Sequence, residues 1–282
     1  MKKLILFFTI LFLTVNLFAQ EKLGYQQPPE AIMELVNAPL APAVLIDSKG
    51  ENVVLLYRDA YKSIAELSET EMRLAGLRIN PQTNIGSRTN YYNNIKVKKA
   101  LAKEATQVKG LPNNPKLSNF SISPNEKMVA CLNTTEKGAE VWILDIEKAA
   151  AKKLTEPLVN ANMRNAINWF KDNNAVLVKV LPKNKKSLID TQKAVPQGPT
   201  ISVSDGAKAQ NRTYQDLLKN PNDEQNFEQL AYSEIKKISI GGIQSDFLPA
   251  AMYNTIDFSP DGKFVMVSHL KKPFSYIVTY RR

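Results

Sequence analysis

Four times along its 282 residues the chain repeats one short pattern: an apolar strand, a turn of Ser, Pro, Asp, Asn or Gly with a charge, and a second apolar strand. The stretches are Ala43 to Leu56, Phe120 to Ala130, Ile167 to Val178 and Ile256 to Val267. Each reads as a β-hairpin. Proline fixes φ at the second turn position of Ser123-Pro124 and Ser259-Pro260, Asp261-Gly262 tolerates positive φ, and the flanking β-branched and aromatic residues suit a pleated, half-buried surface. A further strand follows three of the hairpins: Val141 to Ile146, Glu234 to Ile240 and, as a counterpart after the first, Tyr91 to Val97. Two inner strands followed by outer ones make the antiparallel blade of a β-propeller.

With Asp47, Ser123, Phe170 and Ser259 as equivalent turn positions, the repeats are separated by 76, 47 and 89 residues. A bare blade needs about 40 to 50 residues, so the first and last separations contain insertions of roughly 30 and 40. The first is expected at about 61–90 and helical, because Ser63-Ile64-Ala65-Glu66-Leu67 through Leu77 carries apolar residues at helical spacing and Ser68 to Glu71 resembles a capping box. The second is expected at about 183–229, a polar unpatterned loop as far as Gln210, with a short helix starting at Thr213-Tyr214-Gln215-Asp216-Leu217-Leu218. The resulting fold class is all-β: a partial propeller of about three to four antiparallel four-stranded blades with short helical insertions. A propeller escapes exposed sheet edges by closing a ring of at least four blades, and a pattern that stops at Arg282 falls short of one.

Met1-Lys2-Lys3, the apolar run Leu4 to Leu13 and Phe18-Ala19-Gln20 have the three parts of a secretory signal, with cleavage expected after Ala19. The apolar core is shorter than the roughly twenty residues of a spanning helix, so no stable membrane anchor is expected, and the destination is the periplasm or the exterior. The domain reading is therefore 1–19 signal peptide, 20–42 N-terminal extension and 43–282 incomplete propeller.

Several segments resemble one family. Gly24-Tyr25-Gln26-Gln27-Pro28-Pro29-Glu30-Ala31-Ile32, Asn37-Ala38-Pro39, Ala65-Glu66-Leu67, Leu74-Ala75-Gly76-Leu77-Arg78-Ile79-Asn80-Pro81, Arg212 to Leu218 and Pro273-Phe274-Ser275-Tyr276 look like the N-terminal propeller of the glutamyl endopeptidase-like branch of the prolyl oligopeptidase family. The resemblance implies a serine peptidase whose propeller caps a C-terminal α/β-hydrolase domain and screens the peptides that reach the active site. It also implies that the catalytic Ser, Asp and His lie in the hydrolase domain, to which nothing here can be matched.

The residues themselves offer little chemistry. No Gly-x-Ser-x-Gly elbow occurs, and the single histidine, His269, reads as a strand-end side chain lacking the acid partner and activated serine of a triad. One histidine and one cysteine exclude His-pair and multi-cysteine metal sites and an internal disulfide. Cys131 reads as a buried small hydrophobe, and Ser233-Glu234-Ile235-Lys236 matches the Ser-x-x-Lys of penicillin-binding enzymes without its companion motifs. Asp145, Asp172 and Asp261 are turn acids, too widely spaced for a calcium loop, and Trp142 and Trp169 should pack between blades.

Removing Lys2 and Lys3 with the signal leaves 35 Lys and Arg against 27 Asp and Glu, a net charge of +8. The clusters at Lys96 to Lys99, Lys183 to Lys186 and Lys271-Lys272 have no interleaved aromatics for base stacking and read as solvated loops, so no nucleic-acid partner is expected. No catalytic, cofactor-binding or metal residue is assigned. The functional expectation is a non-catalytic propeller fragment of a secreted serine peptidase, partnered by a C-terminal propeller and hydrolase polypeptide. The alternatives are an exported binding module that completes its ring by self-association or with a partner, and a peptidase split between two genes.

Overall fold

A computed structural model describes residues 24–280 except 192, 195–205 and 207–213. The expected signal peptide, and Thr213 at the expected helix start, lie outside the described residues. The chain divides into two compact units, Met1–Pro39 and Leu40–Arg282. In the first, helix α1 (Glu30–Val36) follows Pro28-Pro29 and buries none of its side chains.

The second unit is a partial β-propeller. Its first sheet comprises β1 (Ala43–Ile46), β2 (Asn52–Tyr57), β6 (Asn94–Lys99) and β7 (Thr106–Gln107), in that order. Between β2 and β6 stand α2 (Ile64–Leu67) and a small sheet of β3 (Met72–Leu74), β4 (Leu77–Asn80) and β5 (Ile85–Gly86). The second blade is an uninterrupted meander of β8 (Leu117–Ile122), β9 (Met128–Thr135), β10 (Gly138–Asp145) and β11 (Ala150–Lys153). The third comprises β12 (Ile167–Trp169), β13 (Ala175–Val180), β14 (Ser233–Ser239) and the first half of β15 (Gln244–Phe258), with α3 (Pro221–Ala231) between β13 and β14. The second half of β15 pairs with β16 (Val265–Leu270) as the opening hairpin of a fourth. All pairing within these sheets is antiparallel, so every connection between second and third strands emerges on the face opposite the four repeated turns. Both insertions occupy that connection and share that face.

The four repeated turns have one geometry. The residue three places after each reference position has positive φ: Gly50 at 71°, Glu126 at 58°, Asn173 at 62° and Gly262 at 75°. Its N–H donates back to Asp47, Ser123, Phe170 or Ser259 respectively at 2.8–3.0 Å. Consecutive turns are also tied together. Ser48 donates from its N–H and hydroxyl to the Glu126 carboxylate at 2.9 and 2.7 Å, the Asn125 N–H donates to Asn173 Oδ1 at 2.8 Å, and Lys171 Nζ donates to the Pro260 carbonyl at 2.7 Å. Glycine is needed at 262 for a second reason, since a Cβ there would lie 2.8 Å from Lys171 Cβ. Replacing Glu126 by alanine removes both acceptors from Ser48. Because the site is solvent-facing, thermal or urea unfolding should show a loss of only about 1 kcal/mol.

Strand alternation builds the core. On the second blade, Val129, Cys131 and Leu144 face Val54, Leu56, Ile95 and Val97 of the first. Their neighbours Ala130, Leu132, Val141 and Ile143 face Ile167, Trp169, Val176 and Val178 of the third. Leu177 and Ile235 then turn to Tyr253 and Ile256 of the fourth. A two-residue period is the physical basis: one strand supplies two interfaces.

The first insertion departs from its expected helix. Only Ile64–Leu67 is helical, and the capping box is Ser63 with Glu66 instead of Ser68 with Glu71. Leu74 and Leu77, three apart, are cross-strand partners around a two-residue turn, as are Met72 and Ile79 two steps out. A tight hairpin thus imitates helical i,i+3 spacing. Ala75 and Gly76 at φ 57° and 83° make the left-handed turn that excludes a helix. The second insertion also differs: residues 214–219 are not helical, Asp216 has φ 59°, and the helix begins at Pro221. Asn220 accepts from the Asp223 N–H at 2.9 Å, and proline fits the first helical position, where no N–H is needed.

Candidate functional site

The residues singled out for chemistry are dispersed. His269 is exposed on β16 and meets Tyr253 edge-on at 6.5 Å between ring centroids. Cys131 is buried between the first two blades, and burial pushes its thiol up to about 12. Ser233 is buried on one face of β14, whereas Lys236 lies on the other, held by Asp246 at 2.5 Å. Three positions along a strand put them on opposite sides, so the amine cannot activate the hydroxyl. Asp145 and Asp261 accept turn N–H groups from Lys148 and Lys263, and Asp172 accepts from Asn174. Among the described residues no group of three or more His, Cys, Asp or Glu side chains could hold a metal ion.

The basic clusters separate into individual contacts. Lys96 lies over the Tyr57 ring, Lys185 Nζ donates to Asn84 Oδ1 at 2.5 Å and Lys272 Nζ to Glu228 at 2.7 Å. Trp169 packs between the second and third blades and Trp142 against the interface of the first two, with their indole N–H groups donating to the Ser121 carbonyl and to Glu140 at 3.0 Å.

The structure gathers a different set. Leu74, Ala75 and Ile79 of the first insertion, Leu218, Phe227 and Leu230 of the second, and Phe274 of the C-terminal segment bury one another in a separate core on the insertion face. Phe227 packs edge-on to Phe274 at 5.3 Å and stacks with Tyr280 at 5.6 Å. A Cβ at Gly76 would come within 2.4 Å of Thr279 Cβ, and the Tyr280 N–H donates to the Ala75 carbonyl at 2.8 Å. Arg78 Nε meets Asp216 Oδ2 at 2.7 Å, while Asp216 accepts the Gly76 N–H through its carbonyl at 2.8 Å. Tyr276 donates to Glu224 at 2.7 Å. Asn160 and Asn162 anchor this module to the propeller by donating to the Leu230 carbonyl at 2.9 and 2.8 Å.

Beside the module is an open cleft of about 930 Å³ lined by Arg78, Arg88, Asn162, Tyr214 and Gln215. The hydrogen bond from Arg78 to Asp216 raises the guanidinium's affinity for its proton. Nearby, burial pushes the Glu71 carboxyl up, but the Ser87 hydroxyl and the Arg73 and Arg88 guanidiniums outweigh it and hold the group below its ordinary range. Asn162 is 7% exposed, and its Oδ1 has no hydrogen-bond partner. The cleft thus presents guanidinium groups at its wall, while the unpaired Asn162 oxygen is buried behind its surface.

No family model matches the chain. Two curated proteins do, both described as "Probable glutamyl endopeptidase, chloroplastic". The one from Oryza sativa subsp. japonica is 31% identical over 277 residues, covering 91% of this chain and 28% of that protein. The one from Arabidopsis thaliana is 30% identical over 268 residues, covering 90% and 28%. The chain is homologous to a segment of these plant proteins. It spans 28% of the length of the curated relatives it matches. Among solved structures, an acylaminoacyl peptidase in complex with Z-Gly-Gly-Phe-chloromethyl ketone is similar with a TM-score of 0.38 and 13% identity, over 82% of this chain and 28% of that one.

Three segments that carry the sequence resemblance, around Leu74 to Pro81, at the end of Arg212 to Leu218 and at Pro273 to Tyr276, meet in the insertion module. They read singly as turn and packing signals, and their mutual contact was not foreseen. Lys179 was also missed. It occupies the position that Leu132 holds in the preceding repeat, and a lysine inside Val176-Leu177-Val178-Lys179-Val180 was the available signal.

Proposed function

We propose that this chain is the propeller segment of a secreted serine peptidase of the glutamyl endopeptidase-like branch of the prolyl oligopeptidase family, and that it screens peptides without carrying the chemistry. The single observation behind this reading is that one continuous relationship to glutamyl endopeptidase relatives covers 91% of the chain. The propeller fold agrees with it. The open cleft on the insertion face, lined in part by Arg78 and Arg88, supplies a place where screening could occur. Blades tied to one another at their turns, and a polar cleft beside the insertion core, are compatible with such a role. Cleavage would fall to a hydrolase domain in the same protein or a partner chain, with the substrate passing the propeller first.

Purified protein offered glutamyl and prolyl peptide substrates should show no hydrolysis. Hydrolysis that disappears on changing a residue of this chain would overturn the reading. A complementary test places this chain in the corresponding segment of the rice relative. The chimera should keep cleaving short peptides and change the length of peptide it accepts, and an unchanged length limit would count against screening.

A further inference from the structure

Where the first insertion meets the second blade, two open clefts of about 810 and 670 Å³ adjoin, with Ala65, Asn114 and Lys116 in the walls of both. Shared walls make them one groove. It lies on the insertion face, beside the ends of β2 and β9 and the starts of β6 and β8, and every wall comes from segments within residues 58–136.

The lining is mostly polar. Among the described lining residues, eight Asn and Gln stand with four acids and three cations, and the aliphatic members are Ala60, Ala65 and Pro115 alone. Such walls offer no deep apolar pocket of the kind that captures hydrocarbon side chains of a peptide. Much of the charge is committed within the protein. Glu69 accepts from Lys116 Nζ at 3.2 Å and Asn80 Nδ2 at 2.9 Å, Glu66 from the Ser63 N–H at 2.9 Å, and Asp59 from Asn93 Nδ2 at 2.9 Å, while Lys62 Nζ donates to the Thr89 carbonyl at 2.9 Å. With the signs nearly balanced, neither a polyanion nor a polycation is favoured. The same bonds brace the walls, so a ligand meets groups that are already ordered.

Apart from Arg58 and Glu136, one of each sign, what remains open is neutral. Among the described residues no partner meets the side-chain amides of Asn90, Asn113 and Asn114, and Tyr61 is 69% exposed. An amide sets a donor beside an acceptor, the combination that sugar hydroxyls require, and a phenol ring supplies a flat face for the C–H side of a pyranose. We propose that this groove binds a neutral oligosaccharide, with Tyr61 as the stacking platform at one end and Asn113 a hydrogen-bonding group at the other. The inference rests on the groove's composition and stands apart from the peptidase reading: sugar titration tests the first and hydrolysis the second.

Isothermal titration of the purified protein with maltohexaose, cellohexaose, mannohexaose and chitohexaose should give saturable binding of at least one, with a dissociation constant of about 1 mM or tighter. Tyr61→Ala and Asn113→Ala should each weaken that binding at least about fivefold while the thermal midpoint holds, because both side chains are exposed. Glu126→Ala, on the face of the repeated turns, should bind as the native protein does. No binding of any of the four sugars, binding indifferent to Tyr61→Ala and Asn113→Ala, or tighter binding of hexaalanine or inorganic polyphosphate would each overturn the proposal.

Discussion

Phe227→Ala should cost about 3 to 5 kcal/mol, the range for removing a fully enclosed phenylalanine, and lower the thermal midpoint by about 10 °C. Phe227 is 0% exposed and contacts the rings of Phe274 and Tyr280, so truncation leaves a cavity walled by a segment distant in sequence. The local pattern is the sharper expectation. Amide exchange should accelerate in β4, in α3 and at 274–280, which share this core, while β9 and β10, buried between blades, keep their protection. Equal acceleration in β9 and β10 would show that the insertion module and the blades are one cooperative unit.

Lys179 should give the protein an alkaline rise in stability that Lys179→Met largely removes. The side chain is 1% exposed, and its amine donates to the carbonyls of Met163, Tyr253 and Asn254 at 2.7, 3.2 and 3.0 Å. Burial first, and then the Arg164 guanidinium, push the amine down to about 8 from 10.5, with Asp257 acting weakly the other way. Between those values the unfolded chain holds a proton that the folded chain has released, so stability increases with pH through the window. Below pH 8 both states are protonated and the burial penalty is present in full. The complete swing is on the order of 3 kcal/mol. Tyr91 and Tyr276, pushed up to about 12 chiefly by burial, stay protonated in the fold and oppose the trend above their ordinary value of 10. The Cys131 thiol, pushed up to about 12, opposes it above 9, and Lys185, lowered by burial, acts in the same direction as Lys179, so urea unfolding between pH 7 and 9 isolates Lys179 as the difference between the native protein and Lys179→Met. A slope undiminished in the methionine variant would place the titrating group elsewhere, with Lys185 the first alternative.

Blade positions and period were legible because hairpins are local. A turn residue, its positive-φ position and the alternation on either side lie within about a dozen residues, and inter-blade burial repeats the same two-residue signal. The buried cysteine and the two tryptophans followed from that alternation. The fourth strands, β7, β11 and the first half of β15, were not located. β7 and β11 are short, with many exposed positions, and the first half of β15 is largely exposed, so little hydrophobic alternation marks any of them. The first insertion differs in form from the expected helix, since Leu74 and Leu77 satisfy both a helix face and a tight hairpin pair. Choosing between them required the left-handed turn at Ala75 and Gly76.

What the amino-acid order determined was the unit: four hairpins, their turn geometry, and which side of each strand is apolar. What only tertiary structure decided was the company those units keep. Arg78 and Asp216 lie 138 positions apart, as do Glu126 and Ser48 at 78, and no local pattern encodes such meetings. Their cost is the entropy of closing long loops, recovered only when the blades between them have already brought both ends to one face.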